Sequence, residues 1–174
     1  MAVRTAFACL VVVPLPLLSS TCASTPARRQ GIVALVTQRG LPTAPAANDV
    51  TEIYLERTAC EGVCPSYLLV LRKTGHAVLL ARLMTERAAG DYSGTLSRGR
   101  FDSLVALIVD RGFLTLRLPD SQLCLDVPET TVLLRTRQGF WGVHDTGCSS
   151  HVPAAFTQIA RAIDSVGASI RWTR

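Results

Sequence analysis

Two apolar runs, Ser66–Lys73 and His76–Met84, are separated only by Thr74-Gly75. A connection that short, with glycine in it, reverses the chain as a hairpin, whereas a parallel crossover needs a dozen residues or more. Thr130–Arg137 and Gly139–Val143 repeat the arrangement around Gln138-Gly139. Hairpin-joined strands predict an antiparallel sheet. Val50–Glu56 reads as a further strand, with Val50, Ile53 and Leu55 alternating against Thr51 and Tyr54, and Tyr92–Leu96 as a short one.

Two segments carry the helical period instead. After Ser97, a candidate N-cap, Phe101, Leu104, Leu107 and Ile108 recur at helical spacing up to Gly112. Val152–Val166 places Phe156, Ile159, Ala160 and Ile163 on one stripe, with Pro153 expected in its first turn. The order β-β-β-(β)-α-β-β-α, with Tyr92–Leu96 the optional strand, predicts an α+β fold: an antiparallel sheet with two helices packed on one face, in two layers. Its expected extent is residues 48–174, a single domain. At 48% apolar and 18% charged residues the chain has the material for a core. With aromatics at 6%, that core should be mainly Leu, Val, Ile and Ala.

The first fifty residues read differently. Arg4 is the only charge among the first 27 residues, and Ala6–Leu18 follows it as an apolar stretch broken by Pro14 and Pro16. It is too short to span a bilayer, which takes about 20 residues. Small residues follow, Ser19 to Ser24 around Cys22. This order is that of a secretory signal peptide over residues 1–23. Cys22 adds a lipoprotein reading, in which it becomes an acylated first residue. Ser19 and Thr21 stand where a lipobox carries Leu and Gly or Ala, so cleavage after Ala23 stays open beside it. Cys9 leaves with the leader in both. Residues 24–47 read as a flexible Pro/Ala/Thr/Ser-rich linker, with Gly31–Thr37 as an optional extra strand. The expected location is exported: periplasmic, or anchored to the outer membrane through Cys22.

Charge excludes one class of partner. Residues 1–49 hold four Arg and one Asp, and the rest holds fourteen basic and twelve acidic residues. The domain itself is nearly neutral, so the pI of 9.1 does not mark a nucleic-acid binder.

The most distinctive stretch is Leu55–Tyr67, LERTACEGVCPSY. Its pattern, Leu55-Glu56-Arg57-Thr58-x-Cys60-x-Gly62-x-Cys64-Pro65-x-Tyr67, resembles the opening signature of the bacterial envelope family known as domain of unknown function 6438. The resemblance extends more loosely over residues 50–174, through Gly75, Gly112-Phe113, His144, Ile163-Asp164 and Arg171-Trp172. Thr74 stands where such sequences often carry Asp, and Asp145 where an aromatic is common. The resemblance implies an exported α+β domain and no reaction.

Cys60, Cys64, Cys124 and Cys148 remain in the mature chain. An even set in an exported domain predicts disulfides, and four cysteines allow three connectivities. Local pairing, Cys60–Cys64 with Cys124–Cys148, is the one expected: Gly62 permits a tight turn and Pro65 blocks a helix. The second bridge would close a loop worth about 3–4 kcal/mol by chain entropy.

Three chemical readings stand beside this one. Cys60-x-x-x-Cys64-Pro65 also occurs in thioredoxin-like copper-assembly proteins, but there a strand meets a helix, and here a strand-like run follows. His144-x-x-x-Cys148-x-x-His151 offers nitrogen and sulfur that, with Cys60 and Cys64, form a candidate metal-ligand set. His144, Asp145, Ser149, Ser150 and His151 crowd one segment, yet no nucleophile elbow, His-Glu-x-x-His or phosphate loop accompanies them. Glu52 and Glu56 share a strand face with Tyr54, read as solvated, and Glu61 falls on a turn.

The function expected is a non-enzymatic, exported binding or accessory domain of the cell envelope. It has no catalytic residue and no cofactor, and its partner is an envelope protein or small ligand, with membrane contact only through Cys22. The alternative is a metal- or thiol-handling envelope protein built on Cys60, Cys64, His144 and Cys148.

Overall fold

The computed structural model describes residues 45–83, 85–118, 124–149 and 151–174. The leader, Cys22, most of the linker and the Gly31–Thr37 strand lie outside the described residues, as does Ser150. Among the described residues there are six strands: β1 Val50–Arg57, β2 Ser66–Arg72, β3 His76–Leu83, β4 Gly90–Thr95, β5 Thr130–Thr136 and β6 Phe140–Asp145. The helices are α1, Arg98–Asp110, and α2, Ala154–Ala168. Single 3-10 turns at Ala47–Asp49 and Phe113–Thr115 precede β1 and follow α1.

The strands form one sheet in the order β4-β3-β2-β1-β5-β6, every neighbouring pair antiparallel. Both expected hairpins are there. The chain leaves β4 through α1 and returns as β5 beside β1, so β1 lies in the middle of the sheet. Alternation decides the layers. Ile53, Leu55, Leu69, Leu71, Val132 and Leu134 form one core with Phe101, Ile108, Phe156 and Ile163 of the helices. The fold is α+β, as the pattern predicts.

Two helix details differ from the sequence reading. Pro153 sits at the cap of α2 rather than in its first turn. There it needs no N–H, and its carbonyl accepts from Phe156 N at 2.9 Å. In α1 the buried stripe is Phe101, Leu104, Val105 and Ile108, and Leu107 is only half-buried. Leu107 lies roughly 100° around the helix from Ile108, which turns it toward the groove shared with Ala162 and Val166 of α2. Ser97 caps α1 as expected, its Oγ accepting from Arg100 N at 3.3 Å.

Candidate functional site

Adjacent residues of the signature serve opposite faces of the sheet. Glu56 points away from the helices and is 4% exposed. Its partner is Arg82, whose Nη1 donates to Oε1 at 3.0 Å. The register between β2 and β3 shifts between Ser66 and Tyr67, whose partners are Leu83 and Ala81, so Arg82 is the extra residue of a bulge. A bulge re-aims a side chain, and this one sends the guanidinium past β2 to Glu56 on β1. Glu52, two positions further along the same face, accepts from Arg72 Nε at 3.1 Å, from Arg135 Nη1 at 3.3 Å and from the Tyr54 hydroxyl. Burial alone would raise its pKa, but these three bonds outweigh it and hold the carboxyl below its usual range. The solvated-face reading of Glu52, Tyr54 and Glu56 is therefore corrected. A carboxylate on a central strand is walled by its cross-strand neighbours, and long arginines fold over it.

Arg57 points the other way, toward α2. Its Nη2 donates to Asp164 Oδ2 at 2.7 Å and its Nε to the same oxygen at 3.2 Å. Nη1 reaches Thr130 Oγ1 at 3.1 Å, and Nε also reaches the Tyr67 hydroxyl at 3.1 Å. Tyr67 in turn donates to Asp164 Oδ1. Burial, then the facing Asp164 carboxylate, pushes the Tyr67 phenol well above its usual range. Desolvation works to lower the Arg57 pKa, and the bonds and charge of Asp164 outweigh it, raising it overall. The three side chains clamp β1, β2 and α2 together.

The cysteines pair locally, as expected: Cys60 with Cys64, Cα atoms 5.5 Å apart, and Cys124 with Cys148 at 5.8 Å. Gly62, at φ 133°, makes the tight turn of the smaller loop without the strain a side chain would bring. The stapled loops are bonded to each other. Thr58 N donates to Glu129 O at 3.1 Å, Glu129 N to Thr58 Oγ1 at 2.9 Å, and Glu61 N to Asp126 O at 3.3 Å.

Beside the clamp lies a cleft of about 390 Å3. Its floor is Leu69 of β2 and Leu79 of β3, one wall is Asp164, Gly167 and Ala168 of α2, and Tyr67 and Pro65 form the lip next to Cys64. Thr85, Glu86 and Arg87 make the opposite rim, and Trp172 closes one side. Gly167 is required by close approach, since a Cβ there would meet Leu69 Cδ2 at 2.6 Å. The Trp172 indole is pinned by its Nε1, which donates to Gly167 O at 3.0 Å.

The remaining candidates do not converge. His144 shares a bond with Thr131 Oγ1 through Nδ1 at 2.8 Å, and its Nε2 lies 3.8 Å from Glu129 Oε2. Asp145 accepts from Gly147 N at 3.0 Å, while Glu61 and His151 are exposed. Among the described residues no three His, Cys, Asp or Glu side chains gather as metal ligands, so Cys60, Cys64, His144 and Cys148 are not brought together. Several contributors went unread as site residues, among them Arg82, Asp164 and Trp172, and with them Arg72, Arg135 and Thr130. A signal existed for two of them. Asp164 is the only acid in α2, and Arg82 interrupts the apolar run that follows His76 in β3.

No curated protein matches the chain. A family model described as "Domain of unknown function (DUF6438)" matches residues 51–167, well over half of it. That span contains β1 but for Val50, β2 to β6, both disulfides, the clamp and most of the cleft, and the chain belongs to this family.

Proposed function

We propose that this chain is an exported binding module that acts without chemistry of its own, and that the cleft beside Tyr67 is where it binds. The observation that carries the reading is the convergence of Pro65 and Tyr67 from the signature with α2 and Trp172 on one open cleft. Concave, mostly apolar sites with a few placed polar groups are the usual form of small-ligand sites. Export rests on the leader read in residues 1–23, and two disulfides fit an oxidising compartment. The envelope, with or without a Cys22 lipid anchor, is the location proposed. The partner is an envelope protein or small ligand.

A fragment library titrated into the labelled protein tests the binding reading. The expected result is saturable shifts at the Trp172 indole N–H and the Gly167 amide; a library that leaves both unmoved overturns it. Deleting residues 1–23 should leave the protein in the cytoplasm, and a truncated protein that still reaches the envelope overturns export. The mass of the mature N-terminus separates an acylated Cys22 from a free Ser24.

A second reading has one observation in its favour. Val63, between Cys60 and Cys64, is 81% exposed, so a dithiol partner can reach that loop. Thiol titration and metal analysis before and after reduction test it. Stoichiometric metal lost on His144→Ala would favour a metal- or thiol-handling protein over the binding module.

A further inference from the structure

The polar atoms of the clamp that walls the cleft are spent on one another. Asp164 Oδ2 takes two N–H groups of Arg57, and Oδ1 takes the Tyr67 hydroxyl. All three nitrogens of the Arg57 guanidinium are engaged, the third with Thr130. The Trp172 N–H is given to Gly167 O, so the indole offers the cleft only its ring. On the rim Glu86 and Arg87 are exposed to solvent and form no ion pair with each other, and the Arg87 guanidinium lies 5.9 Å from the centre of the Tyr92 ring. Apart from the clamp and the rim, the lining is carbon: Pro65, Leu69, Leu79, Ala168 and the Trp172 ring.

Two constraints on an occupant follow. A charged group entering among the lining carbons would lose water, which is costly, and would find counter-charges only at the exposed Glu86 and Arg87 of the rim among the described residues, where solvent screens them. An extended peptide would find no backbone partners, because the floor strands β2 and β3 are interior strands, already paired on both sides. Five separate segments also border the space: the Pro65 lip, the sheet floor, the 85–87 rim, α2 and Trp172. Such a site holds a compact molecule better than a passing chain. Its volume, about 390 Å3, lies near the lower end of small-molecule sites.

We infer that the cleft is a site for an uncharged small molecule of about two rings' size, held by packing against Leu69, Leu79 and Trp172 rather than by ion pairing to Asp164. This rests on the cleft being the binding site. Asp164 and Arg57 act as positioning residues that shape the wall.

The test is a set of probes sharing one ring and differing in charge: benzyl alcohol, benzylamine and benzoate, with acetyl-Ala-Phe-Ala-amide as the peptide arm. Each is titrated into the labelled full chain. The Trp172 indole N–H is the reporter and that of Trp141 the internal control. Benzyl alcohol should shift Trp172 saturably and bind at least about tenfold more tightly than either charged probe or the peptide. Ala168→Phe fills the cavity from an exposed position at the end of α2, and should abolish the shift while leaving Tm unchanged. Benzylamine binding best, and losing its affinity in Asp164→Asn, would overturn the inference while keeping the cleft as a binding site. The peptide binding best would do the same. If no probe moves Trp172, both the inference and the binding reading fall.

Discussion

Glu56 and Arg57 are neighbours in the chain, yet each anchors a different layer. The two-residue period of a strand sends their side chains to opposite faces, one to Arg82 and one to Asp164. The Arg57–Asp164 pair is 26% and 30% exposed, so solvent weakens it, but its bonds are charge-assisted and shared with Tyr67. Asp164→Asn is expected to cost about 1–3 kcal/mol in denaturant unfolding at neutral pH. Less than about 0.5 kcal/mol would show that the clamp contributes nothing measurable. Tyr67 gives an independent reading. Its folded pKa lies above the unfolded one, so its contribution to stability is full below about pH 10 and is lost as the pH rises through the folded value. Tyrosinate absorbance should rise late, because both Tyr54 and Tyr67 are shifted upward. Tyr67→Phe should remove part of that late rise. An unchanged profile in the variant contradicts the clamp as described.

Among the elements, α1 shows how narrow a buried stripe is. Ile108 is fully buried beneath the helix, while Leu107 one residue earlier faces the groove against α2. Ile108→Ala should therefore cost about 2–5 kcal/mol and Leu107→Ala only about 0.5–1.5 kcal/mol. Equal losses would mean that α1 is rotated from the position described. The stapled loops differ in the same graded way. Cys124–Cys148 spans a separation of 24 residues and Cys60–Cys64 only 4, so the longer loop restricts the unfolded chain more. Cys148→Ser, compared with the wild-type protein under oxidising conditions, should lose about 2–4 kcal/mol. Cys64→Ser should lose less, and the reverse ranking in melting or denaturant curves would contradict the entropic account.

At the scale of the whole molecule, the sheet face without helices is held by ion pairs along its central strand. Glu52 binds Arg72 and Arg135 from the strands on either side. Its folded pKa is depressed, so its contribution to stability is full above the unfolded value of about 4.3 and is lost as the pH falls through the lower folded value. Stability should drop more steeply in the wild-type protein than in Glu52→Gln as the pH is lowered from 6 to 3, as read by urea unfolding. Parallel curves would remove Glu52 from the account. Much of the architecture was already legible in the residues. Thr74-Gly75 and Gln138-Gly139 dictate hairpins, alternation dictates strands and the stripe of α2 dictates its buried face, because turn sterics and side-chain period act within a few residues. The Cys60–Cys64 pairing was expected for the same reason, with Gly62 between the two, whereas Cys124–Cys148, 24 positions apart, followed only as the remaining pair. The tertiary structure alone decided that β5 returns to the side of β1, that a bulge aims Arg82 at Glu56, and that Arg57 meets Asp164 across 107 positions. Those contacts depend on which apolar faces close over one another, and no local spacing encodes them. The cleft exists only where β2, β3, α2 and Trp172 come together, so its parts read separately as an ordinary strand, an ordinary helix and a terminal tryptophan.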